Sequence, residues 1–124
     1  MQLHHINIKA PAELLEREKQ FFCDLLELRV GPRPNFASAG YWLYAGDDPI
    51  VHLSVSNQAF ARELPAHVDH VAFQSRDLAA FVQRLDNAGI PYRRGFVDAC
   101  HMTQVFIESP TATGIEVNFV GESL

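Results

Sequence analysis

The sequence predicts an α+β fold of two tandem βαβββ modules, in which a curved mixed sheet forms a half-barrel cup with its helices outside. Three observations predict it: a short run that recurs, a helical pattern after each copy, and histidines in matching places. Residues 3–8 read Leu-His-His-Ile-Asn-Ile, and residues 68–73 read Val-Asp-His-Val-Ala-Phe. His5 and His70 lie 65 positions apart, at the same place in the two runs. Self-similarity at a fixed period marks a unit that buries its apolar face against a neighbouring copy. The expected organisation is one domain over residues 1–124, with a first module over about 1–60 and a second over about 66–122.

Each run is apolar and β-branched, as a short strand should be. The first helix begins at Pro11, a residue suited to the first helical position because its missing N–H would be unpaired there. Leu14, Phe21, Leu25 and Leu28 recur at helical spacing, with Glu16, Arg17, Glu18 and Lys19 on the wet side. Strands are expected near Leu28–Gly31, Gly40–Ala45 and Ile50–Ser54, with Gly46-Asp47-Asp48-Pro49 as a hairpin turn. A polar segment around Asn57–Pro65 joins the halves. In the second half Asp77 is the expected N-cap, Leu78, Phe81, Val82 and Leu85 the buried stripe, and Gly89 the left-handed stop. Strands then follow near Tyr92–Phe96, Met102–Glu108 and Gly114–Val120, the last preceded by a turn at Ser109-Pro110-Thr111-Ala112.

Alternation along a strand sends successive side chains to opposite faces. Ile6 and Ile8 share the helix-facing side, as do Val71 and Phe73, which leaves His5 and His70 on the open face. In the last strand of each half, Val51 and Leu53, and Ile115 and Val117, face the helix. His52 and Glu116 then face away, 64 positions apart. Four symmetry-linked positions (His5, His70, His52 and Glu116) thus all carry residues that bind metals. Two imidazoles and a carboxylate on rigid strands hold Fe, Mn, Co, Ni or Zn with positions left open for substrate. The expected cofactor is therefore one divalent metal ion, with His52 as an additional ligand or as an acid or base. His4 falls on the other face and His67 at the start of the strand, so neither is counted.

Composition narrows the class. The 124 residues are 48% hydrophobic and 20% charged, ordinary for a globular chain. A net charge of −5, with Arg93-Arg94 the one basic cluster, argues against nucleic acid as a partner. The apolar runs are strand-sized, so no membrane span is expected, and no signal-peptide pattern precedes the first strand. Cys23 and Cys100 form no C-x-x-C motif, which points to a reducing cytoplasm. Open half-cups with apolar faces suggest a homodimer.

The sequence also resembles the vicinal oxygen chelate superfamily, which includes glyoxalase I, extradiol dioxygenases, fosfomycin-resistance enzymes and bleomycin-resistance proteins. The resemblance covers nearly the whole chain. It rests on Leu3-His4-His5-Ile6-Asn7-Ile8, Phe21-Phe22-Cys23-Asp24-Leu25-Leu26-Glu27-Leu28, His70-Val71-Ala72-Phe73 and Gly114-Ile115-Glu116-Val117. It implies His5, His70 and Glu116 as metal ligands, with His52 where glyoxalase I-like members place a fourth ligand, commonly a glutamate. Tyr41-Trp42-Leu43-Tyr44-Ala45-Gly46, Val51-His52-Leu53, His101 and Gln104 look like a bacterial subgroup called simply the glyoxalase family. Two departures stand out: Glu27 replaces a helix-ending glycine, and Ser109-Pro110-Thr111-Ala112 replaces an Asp-Pro-Asp-Gly turn.

The implied function is a metal-dependent enzyme of glyoxalase-like lyase or isomerase type, acting on a small molecule chelated through vicinal oxygens. An extradiol-type ring-cleaving dioxygenase is the alternative enzyme. A metal-free drug- or metabolite-binding protein of bleomycin-resistance type is the alternative of another class. Glu116 is the expected catalytic base, and His101 a second candidate with its ordinary pKa near neutrality. Gln104 and Phe106 share a strand face and are candidate substrate contacts. Trp42 is another, although aromatic residues on both faces of its strand leave open whether Trp42, Tyr41 or Tyr44 enters the cup. Arg33, on a stiff loop between Pro32 and Pro34, can grip an anion.

Overall fold

Each half of the chain builds its own four-stranded mixed sheet, one for each of the two expected βαβββ modules. The computed structural model describes residues 2–57 and 68–124, so the joining segment at 58–65 and His67 lie outside the described residues. The chain divides into two compact units, 1–62 and 63–124. Among the described residues, no helix is long and apolar enough to cross a membrane.

In the first unit β1 (Ile6–Ala10) leads into α1 (Ala12–Leu26), followed by β2 (Arg29–Gly31), β3 (Gly40–Ala45) and β4 (Asp48–Val55). The sheet order is β1-β4-β3-β2, with β1 parallel to β4 and the other pairs antiparallel. Pro11 is the N-cap of α1, one position outside the place expected for it. The hairpin turn is shorter than expected: Gly46-Asp47 suffices, with Gly46 at φ 59°. Pro49 therefore lies within β4, opposite Tyr44 and beside a bulge. It is tolerated because β1 joins β4 only from Val51 onward, so no ladder bond is lost there.

The buried side of α1 carries Leu15, Glu18, Phe21, Phe22 and Leu25. Leu14 is only half-buried, and Glu18, expected on the wet side, is fully buried. The stripe through positions 15, 18, 22 and 25 has helical spacing, so geometry carries a carboxylate into the interior between apolar neighbours. Tyr41 turns to the helix side, where its hydroxyl donates to Glu16 at 2.9 Å and its ring lies under the Lys19 ammonium.

The second unit repeats the plan: β5 (Val71–Ser75), α2 (Leu78–Ala88), β6 (Arg93–Val97), β7 (Met102–Glu108) and β8 (Gly114–Val120). The order β5-β8-β7-β6 matches the first unit strand for strand. The registers repeat too: Ile6 pairs with Val51 as Val71 pairs with Ile115, and Asn7 with His52 as Ala72 with Glu116. Leu78, Phe81, Val82 and Leu85 are the buried face of α2, as expected, and Phe81 meets Phe119 of β8 with ring centroids 5.4 Å apart.

Among the described residues, four non-glycine residues adopt positive φ: Glu27, Asp77, His101 and Ala112. Glu27 and Ala112 stand where the resemblance leads one to expect glycine, so the backbone keeps its left-handed turns without it, at about 1 kcal/mol each. Asp77 caps α2 by accepting from the Ala80 N–H at 3.1 Å. Glu122, beyond the last strand, completes the cap by accepting from the Asp77 and Leu78 N–H groups at 3.0 and 2.7 Å. Its carboxylate satisfies donors that a helix start leaves free and sits favourably at the positive end of the dipole. Glu122→Ala is therefore expected to destabilise the protein by about 1–2 kcal/mol, read as a lower urea midpoint at unchanged slope.

Candidate functional site

Glu116 is the best-defined polar group of the second unit. It lies mid-strand on β8, between Ala72 of β5 and Phe106 of β7, with only 6% of its surface exposed. Its two oxygens are separately held. Gln104 Nε2 donates to Oε1 at 2.8 Å, and His70 Nε2 stands 3.0 Å from Oε2. On the far side of the same imidazole, Nδ1 lies 2.7 Å from the Asp69 carboxylate. A carboxylate can only accept, so each nitrogen of His70 faces an acceptor: the ring either carries a proton on both nitrogens or, with its one proton on Nδ1, turns the Nε2 lone pair toward Glu116. The 3.0 Å approach of Nε2 to Glu116 Oε2 is thus bridged by a proton on Nε2 or by a cation. Gly114 makes this approach possible: a Cβ there would lie 2.5 Å from the Asp69 carbonyl and 3.2 Å from His70 Cβ.

The first unit presents a different arrangement at the equivalent positions. His52 is 8% exposed and sits in a stack of three rings. His5 lies on one side at 3.8 Å and 14°, and Trp42 on the other at 4.2 Å and 11°. Trp42 is thus the aromatic residue of β3 that faces the open side, directly paired with His52. Burial lowers the pKa of His52 below its usual 6.5, reinforced by His5, His4 and Arg33, while a hydrogen bond to the Pro49 backbone opposes the shift. Pro49 offers only a carbonyl, and His52 Nε2 is buried without a partner. The donor is therefore Nδ1, and the neutral ring keeps its Nε2 lone pair free.

This depressed pKa has a consequence for the metal-free protein. As pH falls through 6.5, the unfolded chain protonates His52 before the folded protein does, so stability declines as pH falls until the folded-state pKa is passed. Urea midpoints measured between about pH 7 and pH 5 should drop, and His52→Phe should remove part of that slope.

The remaining candidates divide. Gln104 bonds Glu116, and Phe106 meets His70 edge-on at 6.1 Å, with the Arg93 guanidinium 4.0 Å over its other side. Arg33 is turned back over its own loop: it donates to the Ser38 carbonyl at 2.9 Å, lies 4.8 Å over Phe36, and lines a groove with Trp42 and His52. His101 is not brought to Glu116. It occupies the turn before β7 in left-handed backbone, and Met102 pairs with Val120 whereas Glu116 pairs with Phe106. Four residues of strand, roughly 13 Å, separate those pairs. His4 is also placed differently from expectation: its Nδ1 lies 2.7 Å from His5 Nδ1, because strand parity starts only at Ile6. Asp69 carried no sequence signal as a site residue, being adjacent to His70 and ahead of β5.

The donor types fit a divalent metal, since imidazole nitrogen and carboxylate oxygen are its usual ligands. The 3.0 Å spacing of His70 Nε2 and Glu116 Oε2 suits two bonds of about 2.1 Å meeting near a right angle. His5 and His52 fit less directly. In-plane lone pairs of near-parallel rings 3.8 Å apart do not converge, so one ring must turn for both to share an ion. Among the described residues, no group of three or more His, Cys, Asp or Glu side chains is gathered closely enough to hold a metal ion.

No family model matches the chain, and no curated protein matches it in sequence. Solved structures do match its fold. A glyoxalase family protein from Bacillus anthracis is 20% identical with a TM-score of 0.76, covering 97% of this chain and 95% of its own. A glyoxylase/bleomycin resistance protein/dioxygenase domain from Frankia is 11% identical with a TM-score of 0.77, covering 100% and 95%. Lactoylglutathione lyase from Agrobacterium tumefaciens is 16% identical with a TM-score of 0.64, covering 95% and 92%. The chain therefore shares the fold of these glyoxalase-type structures, as the resemblance implied. A fold shared at such identities does not carry a reaction with it.

Proposed function

We propose that this protein is a metal-dependent enzyme of glyoxalase-like lyase or isomerase type, acting on a small substrate that offers two neighbouring oxygens. His5, His70 and Glu116 are the proposed ligands, with His52 as a fourth. The observation that carries this reading is the buried Glu116 carboxylate with His70 Nε2 3.0 Å from it. A divalent ion at such donors supplies Lewis-acid polarisation of substrate oxygens. Glu116 then has two tasks, distinguished by its two oxygens. Oε2 lies toward His70, and Oε1, held by Gln104, is the atom positioned to take a proton from substrate. Asp69 keeps His70 in the tautomer that presents Nε2.

A second reading, an extradiol-type dioxygenase, has the ring stack of the first unit in its favour. If His52 stays between His5 and Trp42, three ligands remain, the two-histidine, one-carboxylate set of non-haem iron oxygenases. Metal analysis of protein purified without a chelating tag tests both readings. About one equivalent of divalent metal per chain is expected. Oxygen uptake on catechols under Fe(II) would select the second reading, and full-length protein that binds no divalent metal would overturn both.

A further inference from the structure

The open face of the first unit carries a groove of about 470 Å³, lined among others by Lys9, Arg33, Phe36, Trp42, His52 and Ser54. That volume suits a metabolite-sized ligand. In a chain with 15 acidic against 10 basic side chains, this groove holds two cations and no carboxylate. Its cationic end is built in advance. Arg33 is fixed by its bond to Ser38 and by Phe36 beneath it, so little freedom remains to be lost on binding. Phe36 and Trp42, 6.1 Å apart, give the groove an aromatic wall.

Hydrogen bonding points the same way. Among the described residues, three buried side-chain polar atoms lack a partner, and one of them is the Arg33 Nε donor at the cationic end of this groove. A buried donor left unpaired is costly, and such groups usually mark a site completed by something else. An N–H on a planar cation wants an anion, and carboxylate is the anion whose plane matches it.

We infer that this groove binds a planar organic carboxylate, with its anionic group at Arg33 and Lys9 and its flat body along Phe36 and Trp42. As a statement about substrate class it rests on the enzymatic reading above, and it assigns the acid-binding groove to the first unit.

The test uses the full chain and two independent readouts. Trp42 is the single tryptophan, so its fluorescence reports the groove directly. Benzoate is titrated against its neutral isostere benzamide and against inorganic phosphate, with metal content measured on the same samples. Benzoate should change Trp42 emission saturably and bind at least about 10-fold more tightly than either control. Arg33→Met should weaken benzoate by about 10- to 100-fold while metal content stays unchanged, and Arg33→Lys should recover only part of the loss. Lys9→Met, at an exposed position, gives a smaller loss with no risk to folding. Equal binding of benzamide or phosphate, no benzoate binding by wild-type protein, or unchanged affinity in Arg33→Met would overturn the inference. Benzoate binding by protein that holds no metal would leave it standing and remove the metal-dependent reading instead.

Discussion

Glu116→Gln is expected to strip the protein of its metal while leaving it folded. Glutamine has nearly the same shape, and the surroundings can accept it. Its carbonyl oxygen can still receive the Gln104 amide, and its own amide can donate to the His70 Nε2 lone pair. The contact that needs a cation or a proton in wild-type protein thus becomes an ordinary neutral hydrogen bond. What disappears is the negative charge, and with it the anionic donor of the proposed set. Outer-shell partners of a metal site are typically worth about 10- to 100-fold in affinity, so loss of a charged ligand should exceed about 100-fold. Competition with a chelator of known affinity measures it. A urea midpoint within about 1 kcal/mol of wild type would show that the fold is unharmed. Retained metal at full stoichiometry would move the site elsewhere. Turnover should vanish with the metal and should not return at saturating metal, because the proposed proton acceptor is gone as well.

The repeat was legible because it is written in spacing. His5 to His70 and His52 to Glu116 differ by almost the same offset, and the pairing registers reproduce that equivalence residue by residue. The second helix was equally legible, since its N-cap, apolar stripe and terminal glycine all agree. The first helix was not, because Glu18 was judged by its charge when its position at helical spacing decides its burial. Parity failed where strands had not yet begun. The contacts of His4 with His5 and of Asp69 with His70 join neighbours that alternation would send to opposite faces, but β1 and β5 start only at Ile6 and Val71. Trp42 could not be separated from Tyr41 or Tyr44 by pattern, because the choice is set by pairing with His52 across the hairpin. The Arg33 groove was hidden for another reason. A proline-flanked loop fixes its backbone locally, yet the direction of its arginine depends on Phe36 and on the Ser38 carbonyl.

His52→Phe is expected to separate what His52 does for folding from what it does for metal. Phenylalanine keeps a flat ring between His5 and Trp42, so the stack and most of its packing survive. It also removes a buried nitrogen that has no partner in the folded protein. Leaving such an atom unpaired costs about 1–3 kcal/mol, which offsets the lost bond to the Pro49 carbonyl, so the metal-free variant should stay within about 1 kcal/mol of wild type. Affinity for metal should weaken by about 10- to 100-fold if His52 tunes or completes the site. Quenching by cobalt or nickel provides a local readout, since Trp42 stacks on His52 at 4.2 Å and is the single tryptophan. Wild-type emission should fall on metal addition, and the variant should show less quenching even at saturation. Complete loss of binding would make His52 an obligatory ligand. Unchanged affinity and unchanged quenching would make it a wall of the groove, leave His5, His70 and Glu116 as the whole set, and favour oxygenase over isomerase chemistry. Retained stability together with weaker metal binding is the combination that a packing role alone cannot produce, because packing would lower both or neither.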